Sequence, residues 1–407
     1  MITAATYSSA DSGSGSGELG TQCSATPAQA SVASWLAVLF LMLFALNTIG
    51  GWVRLSGAGV AIPQWPIING SLLPPMTNEG WIEVKASYDA DQARLASKIV
   101  AGGLTHSNLG RQPRDLAEFR GMFLTEWSHR LFAALVGVMA AGCLTVVWRR
   151  PDLRRLVGGP MAAMGILVIT QAVLGGVLVS SGTNTHWLFL HQGNAGMIMA
   201  CVLVAMLRLV AVGRPLPSAS TLGHRQVLIW VLGVAMVSCW LQLVIGALVA
   251  GSRNDEGFSH WPLASGPLLW EAPLGLVWNL LDNTQLHQWA HGGWAYVLTG
   301  LLIISYVLGW RLTRITSYVL GGRHTRVGEC GPRLRLALQV SATFLVIQLM
   351  LGIANALLGI TAQLALAHQV MGMCLFLSLV LAWFDARHEP AETASIPTVP
   401  PVMSGTT

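Results

Sequence analysis

The sequence predicts an all-α integral membrane protein of eight transmembrane helices, arranged as two parallel-repeat four-helix bundles. Three observations carry that reading. The 407 residues are 53% hydrophobic and only 10% charged, with a mean hydropathy of +0.57, far from the composition of a water-soluble domain. The apolar residues fall into eight long runs, each near the ~20 residues that cross a bilayer core as a helix. The first four runs and the last four carry the same short motifs in the same order. Inside lipid a segment must satisfy its own backbone donors and acceptors, so the runs are helices.

Residues 1–34 form a tail rich in Ser, Gly, Ala and Thr, expected to be disordered and cytoplasmic. The tail lacks a positively charged n-region, and the apolar run after it is too long for a signal peptide. Helix 1 (35–54) ends in GGWVRLSG. A long outer loop (56–120) follows, rich in aromatic, Pro and charged residues, and its length points to a functional cover over the outer face. Helix 2 (122–148) opens with TEWSHR before its apolar run, helix 3 (160–180) carries QAVLGG, and helix 4 (187–207) carries His191-Gln192. These four make the N-terminal half, 35–210, and a cytoplasmic linker spans 211–226. The C-terminal half, 227–385, repeats the plan with helices at 227–250, 285–310, 336–357 and 364–384. A second disordered tail, 386–407, is rich in Pro and Thr.

The charge of +5 encodes orientation rather than nucleic-acid binding. Arg149, Arg150, Arg154 and Arg155 lie between helices 2 and 3; Arg208, Arg214 and Arg225 lie between helices 4 and 5; six arginines from Arg311 to Arg335 lie between helices 6 and 7. The loops after helices 3 and 7 carry no Lys or Arg, and the loop after helix 5 carries only Arg253. The positive-inside rule then places both termini in the cytoplasm. The missing Arg-rich presequence favours the inner (plasma) membrane of a bacterium over the mitochondrial inner membrane. Four of the six cysteines lie in apolar runs, no CxxC occurs, and neither a disulfide nor a cysteine metal site is expected.

The repeat singles out four of the eleven histidines. QAVLGG from Gln171 precedes His191 by twenty residues, and QLMLGI from Gln348 precedes His368 by the same interval. Glu126-Trp127-Ser128-His129 corresponds to Gln288-Trp289-Ala290-His291. WPIING (65–70) and WPLASG (261–266) match in the outer loops. Four helices is an even number, so the halves run parallel. All four histidines fall one to two turns inside helices entered from the outer side, at one depth. A lone intramembrane His is most often a hydrogen-bonded packing residue, but two repeat-related pairs suit axial ligation of two haem irons. A zinc site would need three or four clustered ligands. His287 shares a helical face with His291, and spacing alone leaves either as ligand; the repeat favours His291. His106, His186, His224, His260, His324 and His388 read as solvated loop or tail residues.

Glu126 and His129 share a helix face, and the second half has Gln288 beside His291. A carboxylate exchanges protons and an amide does not, so the first half is expected to do chemistry and the second to handle electrons. The ordinary alternative pairs Glu126 with Arg130, one turn on. Arg130 and Arg54 suit either anchoring of haem propionates or interfacial snorkelling.

These stretches resemble the heme A synthase family over about residues 35–385. The resemblance rests on GGWVRLSGAG, the W-P-x-x-x-G-x-x-x-P-P stretch at 65–75, EFRGMFLTEWSHR (118–130), QAVLGG with HQG, QLVIGALVAG, NLLDN (279–283) leading to His291, and LGI with AHQ. It implies oxidation of a ring methyl of haem O to a formyl group by successive hydroxylations, giving haem A for terminal oxidases. It also implies haem b held by His291 and His368, a substrate haem bordered or ligated by His129 and His191, and Glu126 as the residue needed for chemistry. The expected partners are haem O, heme O synthase, an electron donor, the lipid bilayer and another copy of the chain, with no nucleic acid. Two features depart from the family: Gly292 stands where His-Arg is common, and the outer-loop cysteine pair of some members is absent. The rival readings are a di-haem electron-transfer protein of cytochrome b type, which would have equivalent halves, and a parallel-repeat transporter, which would have polar groups at mid-membrane.

Orientation is testable by labelling. In a background without native cysteines, Cys at Ser265 should react with an impermeant thiol reagent added outside, and Cys at Gly322 should not. The reverse pattern would overturn the charge argument.

Overall fold

The computed structural model describes residues 26–62, 73–101, 111–213, 216–252, 281, 283–312, 316–320, 323–328, 331–390 and 392–395. Nine helices lie among them: α1 (Pro27–Leu55), α2 (Asn78–Val100), α3 (Leu116–Arg149), α4 (Pro151–Ser180), α5 (Thr185–Val210), α6 (Ala219–Ser252), α7 (Thr284–Leu312), α8 (Pro332–Leu358) and α9 (Ala362–His388). All except α2 are long and apolar enough to cross a membrane, as the sequence predicts, and the chain is a multi-pass membrane protein. Both W-P motifs, most of NLLDN, Ser265, Gly322, His106 and His260 lie outside the described residues.

The helices start earlier than their apolar runs because capping residues decide where a helix begins. Thr26 and Gln29 form a reciprocal capping box that starts α1 at Pro27. Pro151 at the first position of α4 absorbs Arg154 and Arg155 into a helix, where a loop was expected. Asp115 caps α3 by accepting from the Glu118 amide, so α3 runs 34 residues. At 1.5 Å per residue that is about 50 Å, well beyond a ~30 Å hydrocarbon core.

Within each half the four spans close into a ring. In the first, α1 packs on α3, α3 on α4, α4 on α5, and α5 back on α1. In the second, α6, α7, α8 and α9 do the same. The helices bearing His129 and His191 are therefore diagonal, as are those bearing His291 and His368. The halves meet through α5 on α6, α5 on α9, and α1 on α9. One apolar core runs through both, with Leu36, Leu39, Val202, Leu232, Met373 and Leu379 fully enclosed.

The extra length of α3 serves the long loop before it. α2 lays Trp81 and Tyr88 on that extension: Trp81 meets Phe123 edge-on at 5.2 Å, and Tyr88 meets Phe119 at 5.3 Å. The Arg120 guanidinium sits 5.3 Å over the Trp81 ring. Tyr88 donates to the Arg111 carbonyl at 2.9 Å. Burial, reinforced by the Asp89 charge, pushes its phenol up to about 12, so it remains a donor at neutral pH.

The opposite end of the molecule is pinned by Glu389. Its carboxylate accepts from the amides of Arg333 (2.9 Å) and Leu334 (2.7 Å) at the start of α8, and its carbonyl accepts from the fully buried Arg225 at 2.6 Å. A small antiparallel sheet adds to the all-α reading: β1 (Thr316–Leu320), β2 (Arg323–Gly328) and β3 (Glu392–Ser395), in the order β1-β2-β3. The β-branched Thr316, Val319, Thr325 and Val327 favour strands, and β3 falls in the tail expected to be disordered.

Candidate functional site

Each of the four repeat-related histidines lies against a glycine on the helix that precedes its own span. A Cβ added at Gly50 of α1 would sit 3.1 Å from His129 Nε2, and one at Gly175 of α4 would sit 3.4 Å from His191 Cε1. In the second half a Cβ at Gly246 of α6 would sit 3.0 Å from His291 Cε1, and one at Gly352 of α8 would sit 3.1 Å from His368 Cε1. Only a residue without a side chain leaves room for an imidazole to lie flush against the neighbouring helix. The motifs signal this in QAVLGG and QLMLGI, but which residue each glycine faces becomes visible only in three dimensions.

A second recurring element is a glutamine four residues before the glycine. Gln171 donates to the His191 carbonyl at 3.1 Å, Gln242 donates to the His291 carbonyl at 2.9 Å, and Gln348 Nε2 lies 3.3 Å from His368 Nε2. Asn194 in turn donates to Gln171 at 2.6 Å. The corresponding position before Gly50 is Leu46, which packs on the core. The glutamine that follows each of the second and fourth histidines reaches Asn47 of α1: Gln192 donates to its side chain at 3.3 Å and Gln369 to its carbonyl at 3.5 Å.

His291 and His368 face one another, with ring centroids 6.2 Å apart and ring planes at 72°. Two imidazoles on opposite sides of one metal, with N–metal bonds of about 2.0–2.1 Å, would have centroids roughly 6 Å apart. The pair thus fits axial ligation. Among the described residues no third His, Cys, Asp or Glu completes a metal-binding group there, which suits a haem, whose porphyrin supplies the other four nitrogens. The Nδ1 atoms of His191, His291 and His368 are buried without a hydrogen-bond partner among the described residues. His287 is buried one turn before His291, but it is His291 whose ring meets His368. His191 lies within electrostatic reach of His129.

Glu126 is 3% exposed, and so is Gln288, its counterpart. Glu126 accepts from Arg130 Nε at 2.7 Å, and Arg130 also donates to the Ile62 carbonyl. The salt-bridge partner weighed from the sequence is therefore present. Arg54 reaches across the halves to the Ala250 carbonyl. His129 sits thirteen residues into α3, whereas His191, His291 and His368 sit six or seven residues into α5, α7 and α9. The extension of α3 beyond its apolar run accounts for the difference. His186, His224 and His388, read as loop or tail residues, lie within helices instead. His186 joins the Leu281 carbonyl at 3.1 Å, and His388 stacks on Phe384 with centroids 4.1 Å apart.

The glycine contact gives a stability prediction. Gly300→Ala, in open space within α7, should raise stability by up to ~1 kcal/mol through helix propensity. Gly246→Ala should forgo that gain, because its methyl would press on His291. Equal rises in Tm for the two variants in detergent would remove the steric argument.

A model of the COX15-CtaA family, described as cytochrome oxidase assembly protein, matches residues 33–380. The chain is similar to the Heme A synthase of Rhodospirillum centenum (strain ATCC 51521 / SW), with 33% identity over 376 residues that cover 89% of this chain and 90% of that protein. It is similar to the Heme A synthase of Paracoccus denitrificans (strain Pd 1222), with 29% identity over 383 residues and 90% of each chain covered. It is also similar to the Heme A synthase of Methylobacterium sp. (strain 4-46), with 28% identity over 350 residues covering 84% of this chain and 88% of that protein. A match that runs through all eight spans and both histidine pairs leaves one assignment: the chain belongs to the COX15-CtaA family of cytochrome oxidase assembly proteins.

Proposed function

We propose that this chain is a heme A synthase, a membrane oxidoreductase that converts the ring methyl of haem O to the formyl group of haem A by successive hydroxylations. The observation that carries the reading is a difference in proton chemistry between the two repeat-related sites. Glu126 and Gln288 are equally buried and stand at the same place beside a histidine, yet only one can exchange a proton. A di-haem electron carrier would have no use for that difference.

In this reading His291 and His368 would hold haem b, which would supply electron transfer, and His129 and His191 would ligate or border haem O. Glu126 takes or returns a proton at the carbon being oxidised and stabilises positive charge that develops beside it. Arg130 holds the Glu126 carboxylate in place through Nε, and its tie to the Ile62 carbonyl fixes both at the mouth of the site. Arg130 and Arg54 are the cationic side chains that could pair with haem propionates. By the positive-inside argument they lie toward the outer side of the bacterial plasma membrane, with both termini in the cytoplasm. The reaction calls for a haem O source such as heme O synthase, a donor of the inserted oxygen atom and an electron-transfer partner.

Removing one axial ligand should abolish haem b retention. His291→Ala and His368→Ala should lose the low-spin haem b absorbance of the purified protein, and His287→Ala should keep it. A normal spectrum from both ligand variants would sink the assignment.

Glu126→Gln recreates the second half's side chain in the first. The variant should fold, retain haem b and bind haem O, while conversion falls by about 10²–10⁴-fold, as for loss of a general acid–base group. Haem O or a partly oxidised alcohol should accumulate when the variant is co-expressed with a haem O source and the extracted haems are separated. Wild-type haem A would reduce Glu126 to a salt-bridge partner of Arg130.

A further inference from the structure

Away from both histidine pairs, a cavity of about 350 Å³ opens between the start of α6 and the end of α9. Leu222, Gln226 and Ile229 line it from one face of α6, as residues spaced by four and three do. Leu216 and Pro217 close it from the chain before α6, and Arg387 and His388 close it from the last turn of α9. Both helices place it at the same depth. Gln226 is the last residue before the apolar run 227–250, and Arg387 comes three residues after the run 364–384. The cavity thus lies where hydrocarbon gives way to headgroups, on the side that the arginine-rich loops assign to the cytoplasm.

The cation of this cavity has a fixed seat. The Arg387 guanidinium lies 4.7 Å from the centre of the Trp383 ring, one turn back on α9. That ring is itself seated on α6, since a Cβ added at Gly233 would stand 3.3 Å from the indole Nε1. The acids nearest along the chain are committed elsewhere, Asp385 to Arg333 at 3.1 Å and Glu389 to the amides that begin α8. Among the described residues Arg387 forms no ion pair. The His388 ring is held by its stack on Phe384 and by Nδ1, 2.8 Å from the Phe384 carbonyl, and Gln226 adds an exposed amide. The rest of the lining is apolar, and Leu216 at its rim is 81% exposed. A guanidinium and an amide beside leucine, isoleucine and proline suit a molecule with an anionic head and an apolar body better than a free anion.

We propose that this cavity binds the phosphodiester headgroup of an anionic phospholipid from the cytoplasmic leaflet. Arg387 donates to the phosphate oxygens, and Gln226 donates to the phosphate or to the glycerol oxygens beside it. Leu222 and Ile229 meet the glycerol esters and the start of the acyl chains. The bound lipid joins α6 to α9, the first and last spans of the C-terminal half. The site uses none of the residues assigned to haem, so it stands or falls independently of the proposed function.

The test is native mass spectrometry of the full-length protein in detergent, titrated with phosphatidylglycerol or with phosphatidylcholine of the same acyl chains. One phosphatidylglycerol should bind ahead of the rest, and phosphatidylcholine should not reproduce that step. Arg387 is exposed, so Arg387→Gln should keep the wild-type Tm without added lipid. It should weaken the first binding step roughly five- to tenfold, the effect of one arginine at an anionic lipid surface. Trp383→Leu, which unseats the guanidinium, should weaken the step in the same direction. Arg149→Gln, at another exposed arginine in the last turn of a span, should leave it unchanged. Wild-type binding by folded Arg387→Gln or folded Trp383→Leu overturns the proposal, and if Trp383→Leu does not fold, Arg387→Gln decides alone. Equal weakening by Arg149→Gln overturns it in favour of general surface charge, and equal binding of phosphatidylcholine overturns it outright. Inorganic phosphate that displaces the lipid at equal concentration would show a site for soluble anions and overturn the lipid assignment.

Discussion

The approach of each imidazole to a bare stretch of helix backbone is the constraint on which the rest of the architecture depends. A histidine inside an apolar bundle needs space beside a neighbouring helix, and a glycine on that helix provides it. At Gly50, Gly175, Gly246 and Gly352 the space is so tight that a methyl group would stand 3.0–3.4 Å from the ring. That contact fixes which helices must be neighbours. It makes α1 flank α3, α4 flank α5, α6 flank α7 and α8 flank α9, which are four of the eight helix pairs that close the two rings. The glutamines one turn away set the height of three of the four rings.

The two four-helix halves carry corresponding histidines, each against a glycine, and differ around them. The differences are few and local. A carboxylate faces an amide at 126 and 288, an arginine faces a glycine at 130 and 292, and a leucine takes the place of a glutamine at 46. All three lie around His129. The second half sets a neutral amide and a glycine beside its histidine, and the first half sets a carboxylate and a guanidinium there. Under the proposed function, the charged half is the one that would take the substrate.

Much of this was legible in the sequence, because the features that specify a membrane protein are coarse. Eight apolar runs fix eight helices, and the shared motifs fix which positions correspond. The repeat alone prefers His291 to His287 as a ligand, and in the structure it is the His291 ring that lies beside His368. What escaped depended on neighbours distant along the chain. Capping by Asp115 and Pro151 moved helix ends outward, which a hydropathy window does not register. The Gln242 bond to His291 spans 49 residues, and the Arg54 bond to Ala250 spans 196. The tie of Arg130 to Ile62 likewise depends on how the long loop returns over α3.

The Arg54 contact shows what one polypeptide with unlike halves allows at its seam. Arg54 and Ala250 hold corresponding places in the two halves, each four residues beyond its glycine. The guanidinium of one half donates to a backbone carbonyl of the other. With alanine at the matching place, a single cation stands there, where two arginines would bring like charges together.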